Sequence, residues 1–224
     1  MIAGCTCCAA SPAAAEVGAA VSVFSDSRLR GYSLSRGHPV GTVDVSYDDP
    51  SGLYAAGSAS VLASSHDGIK PLGLQLNGGY AKRLSGVTLD FGAIYSTYSH
   101  YSSRGSSNSY AEIYVGAAYK FLSSRIAFSP HYFESGARTL YGEIDANFSP
   151  AHKLHLTGHA GLLVPIDYRG ENPSNQYDWR VGVSRDVGKL TLHVIGSGGG
   201  PGRDYYRGRW HSRNAIVVGV SWAL

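Results

Sequence analysis

Apolar and polar positions alternate with a period of two over most of the chain. In 140–149, Leu140, Gly142, Ile144, Ala146 and Phe148 alternate with Tyr141, Glu143, Asp145, Asn147 and Ser149, so an extended strand there has one apolar and one acidic face. The rhythm recurs at Ala111, Ile113, Val115, Ala117 and Tyr119, and again at Leu154, Leu156, Gly158, Ala160 and Leu162. These segments run to about 10 to 13 residues, whereas strands of soluble proteins run nearer 5 or 6 and tilted membrane strands need about 9 to 11. Length therefore points to strands that cross a bilayer.

Taken along the whole chain, the pattern predicts twelve strands, at 19–30, 40–48, 52–62, 72–82, 86–98, 109–121, 125–133, 137–149, 153–164, 176–186, 189–196 and 212–224. Short connections, such as Asp49-Pro50-Ser51 and Val187-Gly188, alternate with longer ones at 31–39, 63–71, 99–108, 165–175 and 197–211, rich in Gly, Ser, Asn and Pro; the short loop at 134–136 breaks the rule. Short turns on one end, long loops on the other and an even strand count predict an all-β fold, an up-and-down antiparallel transmembrane β-barrel of the bacterial outer membrane. The final stripe of Ile216, Val218, Val220, Trp222 and Leu224 fits the terminal strand that barrel-assembly machinery recognises, with Leu224 where an aromatic residue is usual. A secreted β-sandwich also alternates, but strand length and the terminal stripe speak against it.

Composition narrows the choice further. In 224 residues, 43% are hydrophobic and no run is long enough for a membrane helix, and a net charge of +3 is too small to argue for nucleic acid. Cys5, Cys7 and Cys8 are the only cysteines, and Ala13-Ala14-Ala15 precedes Glu16 in the manner of a signal-peptidase site. We therefore expect 1–15 to be the remnant of a signal peptide with a late start and 16–224 to be a single barrel domain. A lipidation box at Ile2-Ala3-Gly4-Cys5 and a metal site on the three cysteines are the rival readings of that segment.

The stretch Val23-Phe24-Ser25-Asp26-Ser27-Arg28-Leu29-Arg30-Gly31-Tyr32-Ser33-Leu34-Ser35, followed by the turn Asp49-Pro50-Ser51-Gly52-Leu53-Tyr54, resembles the N-terminal pattern of the TorF family of proteobacterial porin-like proteins, also called Gcw_chp. Ser27 and Leu29 stand where that pattern has aromatic residues. The resemblance implies an outer-membrane location and a porin-like role, and supplies no substrate.

If Val21 and Val23 face lipid, then Asp26, Arg28 and Arg30 point into the lumen and are the expected constriction. Asp44, Asp90, Glu112, Lys120, Glu143, Asp145, Asp178 and Arg180 are the other expected pore-lining charges. Opposed charges across a narrow pore would select small polar solutes or ions; the same charges, fully paired, would instead make a non-conducting structural barrel that binds lipopolysaccharide or a partner protein. After the glycine run 196–202 come Arg203, Arg207, Arg209 and Arg213 with Tyr205, Tyr206 and Trp210 interleaved, an expected surface loop for the anions of lipopolysaccharide. Catalysis ranks last. His155 and His159 share a face but lie about 13 Å apart on a strand, and no nucleophile elbow or zinc helix is present, so neither an enzyme nor a metal or other cofactor is expected.

Overall fold

The computed structural model describes residues 15–65, 68–99, 108–133, 137–167 and 174–224. The expected signal remnant with its three cysteines falls on residues outside that set, apart from its last residue, as do the loop at 134–136 and most of the loop at 99–108. Among the described residues sixteen strands occur in chain order: β1 (Glu16–Phe24), β2 (Arg28–Leu29), β3 (Tyr32–Ser33), β4 (Val40–Asp48), β5 (Leu53–Ser64), β6 (Gly68–Leu84), β7 (Val87–Tyr98) and β8 (Asn108–Tyr119), followed by β9 (Leu122–Tyr132), β10 (Ala137–Ala151), β11 (Leu154–Asp167), β12 (Gln176–Val187), β13 (Leu190–Gly200), β14 (Asp204–Tyr206), β15 (Arg209–His211) and β16 (Ala215–Ala223).

Twelve of them close a barrel in the order β1-β16-β13-β12-β11-β10-β9-β8-β7-β6-β5-β4, every neighbouring pair antiparallel. The expected twelve-stranded barrel is thus the fold. Closure leaves no unpaired edge, which a sheet in lipid requires because hydrocarbon offers no hydrogen-bond partner. The outer face is the apolar half of the alternation: Val43 and Val45, Leu74 and Leu76, Phe91, Ile113 and Val115, Ile144, Val181 and Val183, and Ile216 and Val218 are all exposed. A continuous exposed apolar belt is stable only against lipid, so the barrel spans the outer membrane. Tyr47, Tyr95, Tyr119, Tyr177 and Trp222 add exposed aromatic rings to that outer face.

The start of β1 and the end of β16 lie together, Ala20 opposite Ala223, at the end of the barrel that carries the tight turns, which in outer-membrane barrels is the periplasmic one. At the β6–β7 turn Ser85 and Gly86 both take positive φ, 48° and 93°, the two-residue geometry whose twist matches that of the flanking strands.

Three sequence expectations are corrected. The first strand stops at Phe24, not at residue 30: Ser25 donates its N–H to the Val218 carbonyl, and 25–39 then leaves the wall and carries the small hairpin β2–β3. The glycine run is largely strand, because β13 continues to Gly200; Cβ atoms at Gly198, Gly199 and Gly200 would strike Trp179, Arg213 and Tyr177, so bare backbone lets these large side chains pack there. Lys120, expected in the pore, lies in the β8–β9 turn with φ of 55° and is exposed, its ammonium 5.1 Å from the Tyr119 ring centre.

Candidate functional site

The inner face of the barrel is organised in tiers. At the outer end, segment 25–39 is anchored among inward-facing wall residues by Leu34, which joins Val40, Leu72, Tyr98 and Tyr110 in one buried apolar cluster with Leu29 beside it. Apolar contact is what draws the segment inside, since each of these side chains would otherwise meet water.

Buried polar groups fix its position. Arg30 donates from one nitrogen to both Glu112 carboxylate oxygens at 2.8 Å, and its guanidinium lies 3.8 Å from the centre of the Tyr141 ring and 4.9 Å from that of Tyr132. The two charged side chains are 9% and 3% exposed, so each depends on the other. Arg28 pairs with Asp26 at 2.8 Å and donates to the carbonyls of Gly31 and Arg213, while Asp26 also accepts from the Ser33 and Ser35 hydroxyls. The three residues expected at the constriction are therefore held in an inward-folded segment, not on a barrel strand.

Below it lies a network contributed by β7 and β9–β12. Arg125 sits between Asp90 at 3.8 Å and Glu143 at 3.7 Å, over the Tyr114 ring. His159 meets Asp145 with Nδ1 at 2.8 Å and Asp178 with Nε2 at 3.0 Å; the Tyr141 hydroxyl also donates to Asp178, and Arg180 lies 3.9 Å from Asp145. Tyr141 thus links the two tiers, its ring on Arg30 and its hydroxyl on Asp178. Register explains the assembly: Asp145 faces His159 across β10–β11, and His159 faces Arg180 across β11–β12. Asp44 projects from the inner face of β4 and makes no ion pair among the described residues.

Arg125 and the inner tyrosines were not singled out in the sequence. Their signal is a row of paired residues, Tyr54–Gly79–Gly92–Tyr114, across β5 to β8. A Cβ on Gly79 would fall 2.5 Å from the Tyr54 hydroxyl and one on Gly92 2.6 Å from that of Tyr114; both rings lie over the glycines and their hydroxyls meet.

Ligand atoms of Glu143, Asp145 and His159 lie within 4.8 Å of one another. Both nitrogens of the His159 ring are engaged by Asp145 and Asp178, which makes the group a hydrogen-bond network in this state. At the periplasmic mouth Ser149 contacts His155 Nδ1 at 2.9 Å, and His155 Nε2 contacts Asp186 at 3.0 Å, with Thr191 donating to the same carboxylate. Ser184, His193 and Ser221 continue this polar belt. The two histidines thus have separate cross-strand partners.

At the outer rim, β14 and β15 form a hairpin with two unlike faces. Asp204 accepts from the Ser33 N–H at 2.7 Å and Tyr206 stacks on His211 at 3.7 Å, while Tyr205 and Trp210 pair at 5.0 Å and remain 55% and 63% exposed. Arg203, Arg207 and Arg209 are exposed here. Arg213, expected on the surface with them, is 2% exposed: it lies 3.7 Å from the Tyr32 ring centre and donates to the carbonyls of Arg30 and Pro201, clamping segment 25–39 to the rim.

Two solved porins share the architecture. The chain is 16% identical to the NanC porin, with a TM-score of 0.60 over 92% of this chain and 100% of that one. It is 13% identical to the KdgM porin, with a TM-score of 0.54 over 93% and 99%. No curated protein matches the sequence. A family model described as "Bacterial protein of unknown function (Gcw_chp)" matches residues 8–195, most of the chain, and the protein belongs to that family.

Proposed function

We propose that the protein is a passive outer-membrane channel for small solutes, with a preference for cations and neutral polar molecules. The observation that carries this reading is the charge of the inner face. Among the groups of the two tiers and the mouth described above, the carboxylates of Asp26, Asp44, Asp90, Glu112, Glu143, Asp145, Asp178 and Asp186 outnumber the cations, the guanidiniums of Arg28, Arg30, Arg125 and Arg180 and the His159 ring held between two carboxylates. An acidic surplus in a confined, low-dielectric passage raises the local concentration of cations and repels anions. It also sets this lumen apart from one suited to the oligogalacturonate present with KdgM in one solved complex. Segment 25–39 narrows the outer half, so selection by size is imposed there.

The test is single-channel recording of the refolded protein under a KCl gradient. Stepwise conductance with a reversal potential on the cation side, reduced in a Glu143→Gln, Asp145→Asn variant, is the expected result. Anion selectivity would overturn the solute class. Docking of segment 25–39 favours a second reading, a non-conducting barrel, and a correctly folded protein that inserts and stays silent would establish it.

A further inference from the structure

Charge is segregated along the molecule. The interior has the acidic surplus, whereas the outer rim gathers Arg203, Arg207, Arg209 and Arg213. At the root of the β14–β15 hairpin an open cleft of about 470 Å³ is lined by Gly199, Gly202, Arg203, Ser212, Arg213 and Asn214, with no carboxylate among them. Arg203 is exposed and has no ion-pair partner among the described residues. Arg213 is the more telling group. It is almost wholly buried, its Nη atoms donate only to main-chain carbonyls, and its Nε has no partner. The carboxylates of the same docked unit, Asp204 and Asp26, are engaged by Ser33, Ser35 and Arg28, and neither forms an ion pair with Arg213 among the described residues. A guanidinium taken out of water without its own counter-ion is costly unless an anion completes it.

We propose that this cleft binds a phosphate group of outer-leaflet lipopolysaccharide. The exposed guanidinium of Arg203 supplies a planar fork that matches a phosphate, the buried charge of Arg213 adds its attraction from the cleft wall, and Ser212 and Asn214 add neutral donors there. Tyr205 and Trp210, paired and exposed on the hairpin that rises from the cleft, offer an aromatic surface for the attached sugar rings. The acidic interior decides between a bound lipid and a passing solute, because an anion attracted to the rim is repelled from the lumen and stays at the membrane surface. Arg213 also holds the carbonyl of Arg30, so the bound headgroup and the inward segment share one side chain.

The experiment titrates the refolded full chain in neutral detergent with purified lipopolysaccharide, its dephosphorylated form and inorganic phosphate, read by tryptophan emission. Lipopolysaccharide should bind in a salt-sensitive manner, with dephosphorylation and Arg203→Ala each weakening it about tenfold or more, equivalent to at least about 1.4 kcal/mol. Arg213→Lys, which keeps the charge and loses the planar fork, should weaken binding while the barrel remains folded. Lys189→Ala, in a periplasmic turn, should leave it unchanged. Equal binding of the phosphorylated and dephosphorylated forms, or unaltered binding by a folded Arg203→Ala variant, would overturn the proposal, as would inorganic phosphate binding as tightly as the whole lipid. A silent channel would leave these titrations unaffected, so failure of the conduction reading is separable from failure of this one.

Discussion

Arg30 shows how one side chain reaches across the molecule. It starts from a turn of the inward segment at φ of 47° and ends on Glu112 of the opposite wall, passing over Tyr141. Breaking such a buried pair from one side leaves an uncompensated charge, at a cost of about 3 to 5 kcal/mol, whereas replacing both partners by apolar groups is often neutral. Arg30→Met should therefore lower the denaturant midpoint in liposomes and make the open-channel current noisier, and Arg30→Met with Glu112→Leu should recover most of the midpoint. Recovery is the decisive measurement. Arg30 is legible in the sequence as an inward charge because it shares parity with Asp26 and Arg28. Its partner is not, since Glu112 lies 82 positions away and only closure of the barrel brings the two together.

Among the elements, the β14–β15 hairpin and segment 25–39 behave as one unit. Asp204 joins them through Ser33, and burial pushes its carboxyl above the usual aspartate range despite the nearby Arg28 and Arg213, with Asp26 adding repulsion. A carboxyl whose docked pKa is raised holds its proton more tightly docked than free. Docking is thus strongest at acid pH, below the value of the undocked group, and weakens as pH rises through the docked value. Lowering the pH from about 7 to about 4, near the reference value of an aspartate, should raise the amide protection of residues 31–35, measured relative to the intrinsic exchange rate at each pH, and reduce current fluctuations. Asp204→Asn should remove that dependence. Periodicity gave no hint of this inward fold, because Ser25 to Arg30 keep the parity of the strand before them. The competing force is the burial of Leu29 and Leu34 against Leu72, Tyr98 and Tyr110, residues of three other segments.

For the whole molecule, closure is the dominant fact. One hydrogen-bonded seam joins β1 to β16, with Val21 opposite Trp222 and Val23 opposite Val220, so the N-terminal strand, paired with β4 on its other side, closes the barrel only when the C-terminal one is in place. A closed barrel has no edge from which to fray, and its unfolding is expected to be cooperative. Unheated protein in dodecyl sulfate should migrate on a gel at a position distinct from the boiled chain, and lose that position sharply with temperature. Identical mobility before and after boiling would contradict the closed barrel.

The sequence by itself determined the membrane strands, their number and which face of each meets lipid. Those properties are local: an alternation such as Leu140 to Ser149 can turn its apolar half to hydrocarbon in only one way, and the turn residues between strands set the up-and-down order. It also marked Asp90, Glu143, Asp145, Asp178 and Arg180 as inward charges by parity alone. Tertiary structure decided how those charges pair, that Arg125 and Tyr141 stand among them, that 25–39 docks inside the outer half of the barrel, and that Arg213 is buried while Arg203 is not. Each of these depends on distances between strands far apart in the chain, which are fixed by barrel closure and register rather than by any pattern within a strand.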